Sequence, residues 1–200
     1  MNVKWYGDKR DLIKWGSLLH LAKDQQIGTI FYVAMLTPHD SSPILTVDNN
    51  THSIDGAVWN HFRCLEDIRR LGDAAGVNID LHMASFTHQN RSGYFDAVIV
   101  RIHDLPSPKI VFLDPDTGLA VQTGTSEHVK PLELVRIWQG LSGGDWLVLY
   151  QHSSRSKTWK EDKKRQFQSA CGVDQVRVYD GPTVAHDVVF FAATKCHDKR

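Results

Sequence analysis

The stretch KIVFLDPDTGLA, residues 109–120, joins a short apolar run to a turn that carries two aspartates around a proline. The β-branched and aromatic residues of the run predict a buried strand. In a parallel sheet, ligands bind beyond the carboxyl ends of the strands, so Asp114 and Asp116 stand where a site would form. The same residues are good turn formers, because proline presets φ and Asp and Gly tolerate tight bends. The stretch therefore predicts a strand, and it leaves open whether its carboxylates serve a ligand or the turn.

The chain has the composition of an ordinary globular protein. It has 200 residues, of which 42% are hydrophobic and 23% charged, and this is enough to bury the core of one domain. We therefore predict a single domain over residues 1–200. The formal net charge is zero, so no global field attracts nucleic acid or a membrane surface. Any anionic partner must meet a local basic patch.

The sequence predicts a cytoplasmic protein without a membrane partner. Its three cysteines, Cys64, Cys171 and Cys196, are widely spaced, so neither a disulfide framework nor a thiolate zinc site is expected. The first residues lack the apolar core of a signal peptide, and no run of about 18 apolar residues could span a bilayer. A reducing, cytoplasmic location is the resulting expectation.

Helical and strand patterns alternate along the chain. Predicted helices cover DLIKWGSLLHLAK (with Leu12, Trp15, Leu19 and Ala22 on one face), the segment from Asp55 to Gly72, SGYFDAVIVRI, PLELVRIWQGL and the stretch opened by a capping box at Thr158–Glu161. Predicted strands cover IGTIFYVAML, VNIDLHMASF, KIVFL, DWLVLY, QVRVYD and HDVVFFAAT. This alternation argues for a three-layer α/β fold with a mostly parallel sheet. The last two strands, joined without a helix, predict an antiparallel C-terminal pair.

Polar residues follow four of these strands at their carboxyl ends. They are Thr37, His39 and Asp40 after the first strand, His88 and Gln89 after VNIDLHMASF, Asp114, Pro115, Asp116 and Thr117 after KIVFL, and Gln151, His152 and Arg155 after DWLVLY. Because neighbouring parallel strands deliver their following residues to one edge, we expect Asp114, Asp116 and His152 to line one cleft, with Asp40 or His39 at its rim. The polar stretch 37–55 is long for a connection, which indicates a functional or flexible loop. The simpler interpretation of each residue is a turn or a solvated loop.

The run RSKTWKEDKKR, residues 155–165, is the most basic part of the sequence. In a nucleic-acid-binding protein, Arg155, Lys157, Lys160, Lys163 and Lys164 would contact phosphates, and the tryptophan within the run would stack on a base. The alternative, which is the preferred interpretation, is a solvated helix face whose tryptophan points to the core. Nucleic acid is the partner that the first interpretation predicts.

From VFLDPDTG onward, the chain resembles the carboxyl-terminal half of Rossmann-fold S-adenosylmethionine-dependent methyltransferases. The order of KIVFLDPDTG, PLELVRIWQGLSGGD, WLVLYQHS, TWKEDKKRQFQSA, QVRVYD and HDVVFFAAT is similar to their strand, helix, strand, helix and closing antiparallel strand pair. The resemblance is nearest to enzymes that methylate exocyclic amines in nucleic acid, which carry Asp-Pro-Pro-Tyr here, and to the three-Cys-motif partner proteins. It implies a Rossmann-like sheet and S-adenosylmethionine as cofactor. It also implies that Asp114 accepts a hydrogen bond from the target amine and that Pro115 shapes the turn.

This interpretation sorts the polar residues into three groups. Asp114, Asp116 and His152 are the catalytic candidates, Thr37, His39 and Asp40 the cofactor-binding candidates, and Pro115, Thr117, Gln151 and Arg155 the substrate-binding candidates. The sequence also departs from the family pattern. The motif here has no aromatic residue where the family has tyrosine, and the first strand runs into AMLTPHD where the family has a glycine-rich loop. One strand–helix unit of the usual sheet is missing.

Two other functions remain open at this point. In the first, Asp114, Asp116 and His152 hold Mg²⁺ or Mn²⁺ and the chemistry is phosphoester hydrolysis, since hard cations prefer oxygen ligands. In the second, the chain is a catalytically silent Rossmann-like module that binds a partner. Binding measurements with S-adenosylmethionine and with Mn²⁺ distinguish these functions from methyl transfer.

Overall fold

The computed structural model describes residues 6–37, 44–120 and 125–197. Its helices are α1 (Lys9–Asp24), α2 (Gly56–Arg63), α3 (Ile68–Ala75), α4 (Arg91–Asp104), α5 (Pro131–Gly140) and α6 (Trp159–Cys171). Its strands are β1 (Thr29–Val33), β2 (Ile44–Val47), β3 (Asn50–Ser53), β4 (Asn78–His82), β5 (Ile110–Leu113), β6 (Gly118–Leu119), β7 (His128–Val129), β8 (Trp146–His152), β9 (Arg177–Gly181) and β10 (Ala185–Thr194). No helix within these ranges is long and apolar enough to cross a membrane.

Six strands form the central sheet, in the order β4-β1-β5-β8-β10-β9. The first four run parallel, whereas β10 runs antiparallel to both β8 and β9. Every residue of β1 and β5 is buried, which is typical of parallel strands that are covered on both faces. The predicted α/β fold with a mostly parallel sheet and an antiparallel C-terminal strand pair is therefore confirmed.

Helices cover both faces of the sheet, so the fold has three layers. Successive strand residues point to opposite faces, and the core is accordingly divided in two. Ile30 and Phe112 pack with residues of α1 and α3 on one side, which we call the α1 face. Phe31 and Val111 pack with residues of α4, α5 and α6 on the other side, which we call the α4 face. Any polar side chain at the end of a strand is thereby assigned to one face.

The buried face of α1 differs from the prediction. Leu12, predicted to be buried, is 69% exposed, whereas Asp11 and Lys14 are buried beside Trp15. Asp8 caps the helix by accepting a hydrogen bond from the Arg10 amide at 2.7 Å. The helix is rotated relative to its apolar stripe because Lys14 pairs with Asp114 at the end of β5, while Asp11 pairs with Lys14 on the helix itself. A periodicity argument counts such residues as solvated and so misplaces the face.

The polar stretch 37–55 contains a hairpin that was not predicted. Strands β2 and β3 pair antiparallel in it, and every residue of both strands is exposed. They are joined at Asp48 and Asn49, whose φ angles of 49° and 67° are both positive, as a type I′ turn requires. The hairpin belongs to the connection that leaves the carboxyl end of β1.

The helix predicted from Asp55 to Gly72 is interrupted. Asp55 does cap it, accepting from the Ala57 amide at 2.7 Å, but α2 ends before Cys64 and a 3-10 turn leads into α3. The helix α3 runs past Gly72 to Gly76, which has a φ of 68°. Gly72 is a packing residue, since a Cβ there would lie 2.6 Å from the Val77 carbonyl oxygen.

Two further details differ from the sequence interpretation. The capping box at Thr158–Glu161 does not form, because the Thr158 hydroxyl donates to Asp162 at 2.7 Å and makes no cap bond. The short parallel pair β6–β7 follows the DPDTG turn and was not predicted. Strands of two residues carry no readable periodicity, so no sequence pattern could have indicated them.

Candidate functional site

The order of the strands gives the sheet a topological switch point. The chain passes from β1 to β4 on one side of it, and then crosses to β5 on the other side. At such a point the loops that follow the two strands run in opposite directions, and α/β proteins bind ligands in the crevice between them. The switch point here lies between β1 and β5. The residues that follow these strands include Thr37 and the DPDTG turn.

A hydrogen bond joins the two loops across this crevice. The Thr37 hydroxyl donates to the Asp116 carboxylate at 2.8 Å, and both side chains are partly buried. Between β1 and Thr37 the backbone is unusual, because Met35 has a φ of 46°. The Met35 amide donates to the Tyr94 hydroxyl at 3.1 Å, which helps to hold this left-handed conformation. Non-glycine residues with positive φ cluster at ligand sites, so the backbone supports the same location.

Asp114 lies at the same edge but turns to the α1 face. It is 2% exposed, and its carboxylate accepts from the Lys14 ammonium at 2.8 Å and the Tyr32 hydroxyl at 2.6 Å. Lys14 also contacts the Asp11 carboxylate at 2.7 Å, and Asp11 accepts from the Gly7 amide at 2.6 Å. The negative charge of Asp114 is thus compensated within the protein, in an ionic cluster that fastens α1 to the sheet.

The pKa values in this cluster follow from burial and from charge. Burial raises the pKa of the Asp114 carboxyl, and the Lys14 ammonium opposes that rise. Burial lowers the pKa of Lys14, but Asp114 and Asp11 outweigh it and the net pKa lies above its ordinary value. Burial and the neighbouring Asp114 raise the pKa of the Tyr32 phenol well above its usual range. Lys14 is therefore a permanent cation, and Tyr32 remains a hydrogen-bond donor.

His152 has a third set of partners. Its Nε2 lies 3.3 Å from Asp187, a residue of β10, and its Nδ1 lies 3.2 Å from the Ser153 carbonyl oxygen. Arg10 donates to the same Asp187 carboxylate from Nε at 3.1 Å. Burial would raise the pKa of Asp187, but the Arg10 guanidinium outweighs burial and holds it below the ordinary value. Asp114, Asp116 and His152 thus lie at one edge with separate partners, and their catalytic roles remain predictions.

Gln151 supports the turn from beneath. It is buried, its Oε1 accepts from the Leu119 amide at 2.9 Å, and its Nε2 donates to the Thr117 carbonyl oxygen at 3.1 Å. Pro115 is buried in the same turn. The contacts of Gln151 and the burial of Pro115 indicate that both residues stabilise the turn. Their role in binding a substrate stays a prediction.

Gly118 is the residue of the turn that should tolerate substitution least. Its φ is 117°, and a Cβ would lie 2.3 Å from the Gln151 Oε1. We expect Gly118→Ala to lower the free energy of unfolding by about 1–3 kcal/mol, from backbone strain and overpacking against a buried, hydrogen-bonded side chain. Urea unfolding followed by circular dichroism measures this change. The control is Gly16→Ala on α1, where a Cβ meets nothing within 4 Å. If the two variants were equally stable, Gly118 would not be required for the turn.

Two cofactor-binding candidates, His39 and Asp40, lie outside the described residues. The residues predicted to contact nucleic acid lie within the described ranges, and they differ in exposure and in their partners. Arg155 and Lys157 are exposed and Lys164 is partly buried. Lys160 pairs with Asp180 at 3.0 Å, and Lys163 is buried with its ammonium on the Leu119 carbonyl oxygen. Burial lowers the pKa of Lys163. The basic run thus presents fewer cations to a partner than its sequence indicates.

The metal alternative does not fit the geometry. Within residues 6–37, 44–120 and 125–197, no three His, Cys, Asp or Glu side chains are grouped so that they could hold a metal ion. Asp114, the central ligand of the predicted set, already faces the Lys14 ammonium. A second cation at that carboxylate would be repelled by the first.

Sequence reasoning missed the partners of the predicted residues. Lys14, Tyr32, Arg10 and Asp187 all contribute to this edge, yet none follows a parallel strand of the sheet. One signal was available: Asp11 and Lys14 are opposite charges three residues apart on an otherwise apolar helix face. Nothing in the sequence pairs Asp187 with Arg10, which precedes it by 177 positions.

Comparisons with known proteins add little to this geometry. No protein-family model and no curated protein sequence matches the chain. Two solved structures align with 94% of it at 12% identity and a TM-score of 0.43: a DUF574 family protein from Streptomyces avermitilis MA-4680, covered over 82% of its length, and a candidate methyltransferase from Thermobifida fusca YX, covered over 80%. A likeness at this level carries no argument about activity.

Proposed function

We propose that this protein binds S-adenosylmethionine in the crevice between β1 and β5 and acts as a methyltransferase. The observation that carries the proposal is the Thr37–Asp116 hydrogen bond across the topological switch point. Cofactors of α/β proteins bind at such points. The order of strands and the antiparallel β10 agree with what the sequence resemblance implies. The resemblance and the switch point thus both support a cofactor site at this edge.

The residues at the crevice fit the polar parts of this cofactor. S-adenosylmethionine carries an ammonium group and ribose hydroxyls, which donate hydrogen bonds, and Asp116 offers a carboxylate acceptor beside the Thr37 hydroxyl. The left-handed backbone at Met35 turns the chain sharply after β1, in place of a glycine. When bound, the cofactor supplies an electrophilic methyl group. Thr37 and Asp116 would orient it, and the buried Asp114–Lys14–Tyr32 cluster would form a rigid floor that does not rearrange.

The acceptor that we propose is nucleic acid, bound through the exposed Arg155 and Lys157 beyond β8. These two cations follow His152 on the chain, so a phosphate backbone that contacts them would pass near the crevice. Such binding must weaken steeply with salt, since it rests on phosphate neutralisation. Retention of a labelled oligonucleotide that does not change between low and high salt would contradict this part of the proposal.

Isothermal titration calorimetry with S-adenosylmethionine, and with the unreactive S-adenosylhomocysteine, tests the proposed cofactor. We expect the wild-type chain to bind both, and Asp116→Asn to bind roughly 10- to 100-fold more weakly, because a charge-assisted hydrogen bond contributes about 1.5–3 kcal/mol. Asparagine keeps an oxygen that can accept from Thr37, so the loop contact is preserved. The matched control is Asp24→Asn, which removes a carboxylate that contacts Arg177 at the start of β9.

The contrary outcomes are distinct. If the wild-type chain binds neither compound, methyl transfer is excluded and the chain is a silent binding module. If Asp116→Asn binds as tightly as the wild type, the cofactor lies elsewhere and the switch point has no role in holding it.

A further inference from the structure

The sheet ends on one side at β4, and this edge has an unusual charge pattern. A cleft of about 450 Å³ runs along it, lined by Arg69 and Asp73 from α3, Arg101 from α4 and residues 78–81 of β4. Arg101 pairs with Asp80, its Nε lying 3.2 Å from Oδ1. The cleft is therefore lined by two arginines and two aspartates. Of these, Arg69 and Asp73 have no ion-pair partner among the described residues.

The backbone of β4 also has unpaired groups at this edge. The Asn78 amide donates to the Gly28 carbonyl oxygen at 2.9 Å, and the His82 carbonyl accepts from the Ala34 amide at 3.2 Å. In a parallel ladder, alternate residues direct both backbone groups to the same neighbour. Ile79 and Leu81 must therefore direct their amides and carbonyls away from β1. Such an edge is a template for another strand.

We infer that the β4 edge is a dimer interface at which two copies of this chain join their sheets. A two-fold axis at Asp80 would pair β4 with its symmetry mate in antiparallel fashion, with Ile79 opposite Leu81 of the second copy. These are the residues whose backbone groups point outward, so each such pair exchanges two hydrogen bonds. The same axis brings the two α3 helices side by side in opposite directions.

The charges of α3 are complementary to themselves under this symmetry, and each Asp80, which lies at the axis, has Arg101 of its own chain as counter-ion. Arg69 and Asp73 are four residues apart on one stripe of α3, so two antiparallel copies place each arginine near the aspartate of the other helix. A pair of reciprocal salt bridges results. An unrelated peptide could pair with the strand edge, but nothing would then match both charges of the stripe.

The other outer strand of the sheet, β9, does not have unpaired charges of this kind. There β9 is held by ion pairs within the chain, Arg177 with Asp24 at 2.8 Å and Asp180 with Lys160 at 3.0 Å. Its charges are already satisfied. The β4 edge is the one that offers both free backbone groups and unpaired charges among the described residues.

Sedimentation velocity tests the inference, over a concentration series up to roughly 100 μM, where dimers of micromolar Kd are populated. We expect a species of twice the 22.7 kDa chain mass. Arg69→Glu should shift it to monomer, and the swapped double variant Arg69→Glu/Asp73→Arg should restore the dimer. Arg70→Glu is the control, because Arg70 is the neighbouring residue, is 83% exposed and does not line the cleft.

A second variant addresses the strand pairing. Leu81→Pro removes an amide that points away from β1, so it should abolish the dimer while circular dichroism shows an intact fold. A wild-type chain that stays monomeric throughout the series overturns the inference. A dimer that survives both Arg69→Glu and Leu81→Pro also overturns it, because the copies would then meet elsewhere.

Discussion

Replacing Lys14 with methionine is expected to lower the free energy of unfolding by about 3–5 kcal/mol, because it leaves a buried carboxylate without its cation. Asp114 is 2% exposed, and after the substitution only the Tyr32 hydroxyl would contact it among its present side-chain partners. Asp11, which also contacts Lys14, would add a second uncompensated negative charge nearby. Urea unfolding at neutral pH, followed by circular dichroism, measures the change.

The control and the rescue variant make this result specific. Lys160→Met removes a comparable ammonium from a partly exposed pair with Asp180, and should change stability by no more than about 1 kcal/mol. The double variant Lys14→Met/Asp114→Asn should recover part of the loss, since no charge remains at Asp114 and asparagine still accepts from Tyr32. If Lys14→Met alone changed stability by less than about 1 kcal/mol, the cluster would not fasten α1 to the sheet.

Asp145→Ala is expected to lower the free energy of unfolding by a similar amount, about 3–5 kcal/mol. Asp145 lies at the amino edge of the sheet, directly before β8. Asp145 is fully buried and its carboxylate accepts from the Lys109 ammonium at 2.8 Å, the Lys109 amide at 3.1 Å and the Ser142 amide at 2.9 Å. Lys109 is 1% exposed, so alanine at 145 would leave a buried ammonium without its counter-ion. The same unfolding experiment measures the loss.

This second variant also separates stability from binding. Asp96→Ala, which breaks an exposed pair with Arg136, should leave stability within about 1 kcal/mol. Asp145 precedes β8 and lies at the amino edge, so the folded fraction of Asp145→Ala should bind S-adenosylmethionine as the wild type does. A weakened affinity in the folded fraction would mean that the cofactor site extends to the amino edge, against the proposed location.

The Lys109–Asp145 pair at the amino edge could not be predicted from the sequence. Lys109 and Asp145 each open a predicted strand, and in sequence both look like turn residues. The structure brings them together because β5 and β8 are neighbours in the sheet, with the Trp146 amide bonded to the Lys109 carbonyl oxygen at 2.8 Å. No local pattern indicates which strands will be neighbours, so no local pattern indicates a pair between residues that precede them.

The helices and strands that have a local signal could be predicted from the sequence. The apolar runs at β1, β5 and β8 are strands because β-branched and aromatic side chains favour that conformation, and the absence of a helix before β10 predicted its antiparallel direction. The sequence also placed Asp114 and Asp116 at the carboxyl edge. This followed from their position directly after a strand.

The contacts of those carboxylates depend on the tertiary structure. Asp114 turns to the α1 face and binds Lys14, which precedes it by 100 positions, whereas Asp116 reaches Thr37 across the switch point. The rotation of α1 and the crossing from β4 to β5 determine both contacts, and each depends on packing between segments that are distant in sequence. Secondary-structure propensity depends on residues a few positions apart. The partner of a buried charge is instead a group that folding brings within about 3 Å, whatever its distance in sequence.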